Sequence, residues 1–142
     1  MSLYTAETRI RIPFFDVDPM NIVWHGNYVR YMEQARCDMF LKLGYTYMDM
    51  KQDGYSYPVA KMSTKFIHPI SFDDEIIIKT ELQTIEPVMN IKYIIINEKT
   101  GQKIFTGETM QIAINSETFE SSYYAPVRLK EIIDKLNEKQ TV

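Results

Sequence analysis

The densest group of reactive side chains in the 142-residue chain runs from Asp16 to Tyr28, Asp-Val-Asp-Pro-Met-Asn-Ile-Val-Trp-His-Gly-Asn-Tyr. It holds two carboxylates, Asp16 and Asp18, and a histidine, His25, seven residues after Asp18. The Asp, Pro and Asn content of residues 15–21 marks a loop, and His25 falls just ahead of a helical pattern. Positions Tyr28 to Tyr31 carry no carboxylate, so no acidic side chain competes for the free N–H groups of a first helical turn. Those amides, with Gly26 permitting close approach, can polarise a substrate carbonyl while Asp18 stands beside it as base or nucleophile.

The remaining candidates have plainer readings. An aspartate before a proline is ordinarily a turn residue or cap, and Asp16 is expected to be structural, bonding loop amides. Glu33 can pair with Arg30 or Arg36 one turn away, as on a solvated helix face. His68 precedes Pro69 at a strand end and reads as ordinary. Cys37, between Arg36 and Asp38 in mid-helix, is expected to pack rather than attack. Ser56 lacks the second glycine of a nucleophile elbow, and the five glycines are too scattered to cradle a phosphate.

The elements that must position these residues follow from periodicity. Thr8, Ile10 and Ile12 alternate with Arg9 and Arg11, so Tyr4–Phe14 reads as a strand. Tyr28, Met32, Ala35, Met39 and Leu43, spaced 4, 3, 4 and 4, line one face of an α-helix that stops at Gly44. Arg30, Glu33, Gln34 and Lys42 fall off that stripe. Strands are predicted at Tyr57–Ile67, Glu75–Ile85, Asn90–Asn97 and Lys103–Asn115, with Glu98 to Gly101 joining the last two as a short hairpin loop. A short amphipathic helix is predicted over Val127–Lys139. No repeat or linker divides the chain, so residues 1–142 form one domain. One strand, a long apolar helix and then four strands imply an α+β layout, an antiparallel sheet packed on the helix. Such a sheet covers only one side of the helix, and its outer face carries Ile77, Ile94 and Ile96, so self-association is expected.

Composition narrows the function further. Sixteen basic against nineteen acidic residues give a net charge of −3, with no broad attraction for nucleic acid or an anionic membrane. One cysteine excludes an intrachain disulfide, and with only His25 and His68 beside it no zinc cluster is expected. No apolar run approaches the ~18 residues of a membrane span. Glu7, Arg9 and Arg11 interrupt any signal-peptide core, so a cytoplasmic protein is expected.

The run Asp18-Pro19-x-x-Ile22-Val23-Trp24-His25-x-Asn27-Tyr28, followed by Arg30-Tyr31-Met32-Glu33-x-Ala35-Arg36, resembles the signature of the 4-hydroxybenzoyl-CoA thioesterase family. These are acyl-CoA thioesterases of the hotdog fold, a sheet wrapped around one long central helix, and the order of elements from about Thr5 to Asn115 is similar too. The resemblance implies that Asp18 is the catalytic carboxylate and that the backbone N–H of His25 holds the thioester oxygen. Trp24, Gly26 and Tyr28 would complete the substrate site, with the His25 side chain a lesser participant. Met20-Asn21 departs from the small residues, often alanine and glycine, of the family, which reshapes the loop beside the acyl group. Coenzyme A would arrive with the substrate, with no metal or separate cofactor, and a homodimer or homotetramer would set the sites at subunit boundaries. Lys61 and Lys65, on one side of a strand, could there meet coenzyme A phosphates. A non-catalytic acyl-CoA or acyl-carrier-protein binder of the same fold is the alternative, and it would not need Asp18. A hotdog dehydratase would need a His–Asp pairing in another loop context.

Overall fold

The structure is a computed structural model and describes residues 2–140; Met1, Thr141 and Val142, part of the expected domain, lie outside the described residues. In chain order the elements are β1 (Tyr4–Arg11), α1 (Asn27–Leu43), α2 (Tyr47–Gln52), β2 (Tyr55–Ser56), β3 (Val59–Phe66), β4 (Glu75–Thr84), β5 (Met89–Asn97), β6 (Lys103–Gln111), β7 (Ala113–Asn115), β8 (Ser121–Ser122) and α3 (Val127–Gln140). A single 3-10 turn at Phe14–Asp16 begins the reactive loop. No helix among the described residues is long and apolar enough to cross a membrane.

Five strands form one antiparallel sheet in the order β1-β4-β5-β6-β3. Ile76, Ile78 and Leu82 of β4, Ile91, Tyr93 and Ile95 of β5 and Phe105 of β6 are buried with the α1 stripe. That stripe is as the spacing requires: Tyr28, Met32, Ala35, Met39 and Leu43 are all buried, joined by Tyr31, Arg36 and Phe40. Gly107 lets the helix seat closely, because a Cβ there would come 2.8 Å from Met32 Cε. Gly44 ends α1 at φ +92°, its N–H donating to the Phe40 and Leu41 carbonyls.

Three features differ from expectation. The strand predicted over Lys103–Asn115 breaks after Gln111, and β7 leaves to pair with β2 and β8 in a small second sheet. Helix α2 was not predicted, although Thr46 and Asp49 carry the sequence mark of a capping box: Asp49 N–H donates to Thr46 Oγ1 and Thr46 N–H to Asp49 Oδ2. The outer sheet face is also not the open apolar surface expected, since Ile77 is buried and Ile94 and Ile96 are half-buried. Uncovered apolar side chains lie elsewhere, at Phe14, Phe15 and Phe119 and along β3. All eight residues of β3 are exposed, Val59, Met62 and Phe66 among them, and among the described residues only β6 pairs with it.

Candidate active site

The chain turns sharply at Asp18. Its N–H donates to the Ile22 carbonyl (2.8 Å), its carbonyl accepts from Asn21 N–H (2.9 Å), and Val17 bridges Val23 across the turn. Asn21 takes φ +64°, a left-handed conformation that asparagine tolerates, so the turn keeps its backbone form without a glycine there. The Asp18 carboxylate folds back onto this turn, Oδ1 accepting from the N–H groups of Met20 (2.8 Å) and Ile22 (3.4 Å). Among the described residues none donates to Oδ2.

Asp16 is structural, as expected, but through different partners. It is buried, its Oδ2 accepts from Tyr31 Oη at 2.6 Å, and its Oδ1 is ion-paired with Arg30. The loop amides expected on its side chain bond to Asp18 instead. The Asp16 carbonyl accepts from Trp24 N–H (3.2 Å) and Asn27 Nδ2 (2.9 Å), tying the loop to the start of α1. Burial alone would raise the Asp16 pKa, but hydrogen bonds from Arg30 and Tyr31, with the Arg30 charge, hold it below the usual carboxylate value.

The start of α1 leaves donors free. Asn27 N–H donates to the Trp24 carbonyl (2.9 Å) and Tyr28 N–H to the His25 carbonyl (3.3 Å). Among the described residues the N–H groups of His25 and Gly26 have no acceptor, and no side chain caps the helix. The close approach that Gly26 permits is that of Trp24, whose ring would lie 2.2 Å from a Cβ at that position. The Trp24 and His25 rings are 5.2 Å apart.

A cavity of about 310 Å³ lies against this turn, lined by Asp18, Ile22, Val23, Trp24, His25, Tyr28 and the segment from Phe66 to Pro69. Four of the expected site residues therefore share one space, Asp18, Trp24, His25 and Tyr28, while Gly26 lies under the Trp24 ring. Tyr28 is buried at the floor between Phe66 (4.9 Å) and Phe105 (5.1 Å), and that burial pushes its phenol pKa up. The opposite wall brings in His68. Only the long-range bonds that stitch the two segments together, Val23 N–H to the Ile70 carbonyl (2.7 Å) and the Ile22–Ser71 bridge, put it there.

Within one chain Lys61 and Lys65 line two other depressions, on the outer sheet face with Ser63, Lys92 and Glu108. Glu33 is exposed and 4.0 Å from Arg36, but Arg36 is buried, so the pair does not lie on the solvated face expected. Cys37, expected to pack, is exposed because it faces away from the buried stripe.

Comparison with known proteins gives the family. Residues 12–139 match the profile of the Thioesterase-like superfamily. The chain is similar to the acyl-CoA thioesterase YbgC of Helicobacter pylori, 24% identical over 136 residues that cover 90% of this chain and 96% of that protein. It is also similar to the 4-hydroxybenzoyl-CoA thioesterase of a Pseudomonas species, 32% identical over 73 residues, 49% of this chain and 52% of that one. Among solved structures, a DHNA-CoA thioesterase from Staphylococcus aureus matches with a TM-score of 0.80 at 29% identity, covering 97% of this chain and 96% of that chain. The α+β hotdog fold anticipated from the sequence is the fold present, and the chain belongs to the thioesterase-like superfamily of thioester hydrolases.

Proposed function

We propose that this chain hydrolyses acyl-CoA thioesters in the cytoplasm, with Asp18 as base or nucleophile and the His25 amide as oxyanion donor. One observation carries the reading: Asp18 and His25 line the same cavity, and among the described residues Asp18 Oδ2 has no donor and the His25 N–H no acceptor. The names of the relatives support the acyl-CoA class.

Either water loses a proton to Asp18 Oδ2 and attacks the thioester carbon, or Oδ2 attacks it directly and expels the thiolate, leaving an acyl–aspartyl anhydride that water then hydrolyses to the free acid and the aspartate. In both cases the carbonyl oxygen gains negative charge, which the His25 N–H, with the adjacent Gly26 N–H, stabilises; losing one such donor typically costs about 3 kcal/mol. The bonds from Met20 and Ile22 hold Oδ1, so the carboxylate does not rotate away. A thiolate leaves readily without a strong general acid. The scheme uses no metal and no cofactor beyond the coenzyme A of the substrate. Trp24, Tyr28 and Phe66 form aromatic walls that suit an aryl or short acyl group.

The same reading includes a homodimer or a dimer of dimers. Antiparallel pairing of two copies along β3 extends both sheets, brings Val59, Met62 and Phe66 to the subunit boundary, and sets Lys61 and Lys65 beside that boundary on the outer sheet face. There they meet coenzyme A phosphates. The decisive experiment is a hydrolysis screen over short, long and aromatic acyl-CoAs, with Asp18→Asn as control. Turnover by the wild type and its loss in the variant are expected; binding without turnover by the wild type would assign the chain to acyl-CoA or acyl-carrier-protein binding instead.

A further inference from the structure

His68 follows β3 on a tightly held stretch of backbone. Its N–H and that of Ile67 both donate to the Ile104 carbonyl (3.0 and 2.9 Å), and Ile70 just beyond accepts from Val23. The imidazole Nδ1 lies 2.8 Å from the Pro69 carbonyl oxygen. A carbonyl only accepts, so this bond places the proton on Nδ1 and leaves Nε2 as an in-plane acceptor. Among the described residues nothing bonds to Nε2, and the side chain lines the Asp18 cavity.

Depth decides which part of a ligand it meets. Val23 and Tyr28 are buried and Asp18 half-buried, whereas the rim is exposed, formed by Trp24 and His25 on the helix side and by Ile67 and His68 opposite them. An acyl group tethered to a large carrier leaves its tether at the exposed rim, so the acyl group takes the deep wall and the tether passes His68. We infer that His68 Nε2 accepts a hydrogen bond from the first amide N–H of the phosphopantetheine arm, the tether shared by coenzyme A and acyl carrier proteins. That amide stands two carbons from the thioester sulfur and is the first donor of the arm to reach the rim. The identity of the ligand rests on the thioesterase reading; the role of the residue rests on the geometry of the cavity. A lysine or arginine at this position could not accept such a bond.

Two benzoyl thioesters test the contact, one of N-acetylcysteamine, which keeps the amide, and one of butanethiol, which lacks it. His68→Phe, flat but without an acceptor, is expected to raise KM for the cysteamine ester about tenfold more than for the butanethiol ester. His68→Gln, whose Oε1 accepts, is expected to keep most of the wild-type KM. Equal effects on both esters, or none, would overturn the contact. Benzyl thioethers of the same two thiols, titrated by calorimetry, separate this outcome from failure of the hydrolase reading. If the wild type cleaves neither ester yet binds the amide-bearing thioether about tenfold more tightly, and His68→Phe erases that difference, the contact stands and the hydrolase reading falls. Equal thioether affinities in the wild type would overturn the contact as well. Benzoyl-CoA and benzoyl-acyl carrier protein then identify the carrier, the His68→Phe effect being expected with whichever gives the higher kcat/KM and its absence there overturning the contact.

Discussion

Asp16 and Asp18 stand two residues apart and divide the bonds of one loop between them: Asp16 takes the side chains of Arg30 and Tyr31 from α1, and Asp18 takes the amides of its own turn. Their asparagine variants should therefore fail differently. Asp18→Asn keeps size and polarity but loses the charge, and kcat should fall about 10²–10⁴-fold with near-native affinity for a thioether analogue. Asp16→Asn should lower stability more than kcat. A folded Asp18→Asn whose kcat stays within about threefold of wild type would remove the assignment and make Glu33 the next carboxylate to test.

Acid should expose the Asp16 link in another way. Because its folded pKa lies below the unfolded value of about 3.9, the unfolded chain takes up the proton first as pH falls. The stabilisation is complete above that unfolded value and is lost as pH drops towards the folded one. Melting temperature measured down to acidic pH should fall more steeply for wild type than for Asp16→Asn; parallel curves would deny the link.

Trp24 is the only tryptophan in the chain, so its emission reports on one place. A methyl group at position 26 would meet the indole at 2.2 Å, and Gly26→Ala should swing the ring aside. The emission maximum should shift, and KM should rise about fivefold, the worth of one aromatic contact. An unchanged spectrum would mean that the ring does not rest on Gly26.

Arg36 is buried among phenols, with the exposed Glu33 carboxylate 4.0 Å away: Nε donates to Tyr47 Oη (2.6 Å), Nη1 donates to Tyr93 Oη (3.3 Å), and Tyr93 shares a bond with Thr109. Arg36→Ala leaves a cavity and takes from Tyr47 and Tyr93 their bonds to the guanidinium, with Gln111 and Thr109 remaining as partners, and should cost about 2–4 kcal/mol in urea denaturation. Arg36→Met, which refills the space, should cost less. Similar losses in both would place the stabilisation in the hydrogen bonds and not in packing.

Lys61 and Lys65 are tested together. Alanine at both should raise KM for acyl-CoA with little change in kcat, as loss of uniform binding does. An unchanged KM in a folded double variant would return them to the solvated outer face.

Periodicity made α1 legible, because Tyr28, Met32, Ala35, Met39 and Leu43 repeat at the helical interval and every one is buried. The carboxylate turn was legible from Asp18-Pro19 and the polar residues after it. What escaped had non-local causes. Arg36 reads as surface because it is charged, yet Tyr47 and Tyr93, from α2 and β5, solvate it inside. His68 joins the cavity through pairing between residues 22–23 and 70–71, which no local pattern announces. The break after Gln111 answers to a partner strand, β2, of only two residues. Helix α2 alone carried a local mark, its Thr46-x-x-Asp49 box.

The exposed β3 has a consequence for quantity. A bare strand edge is a template for any other extended chain, and Lys61 and Lys65 are charges of the kind that discourage indiscriminate pairing. If a second copy closes the edge, as proposed, association and folding become linked equilibria, and the melting temperature would rise with the amount of protein present. Dilution then acts as a denaturant, and resistance to heat is set by abundance as well as by the residues of the core.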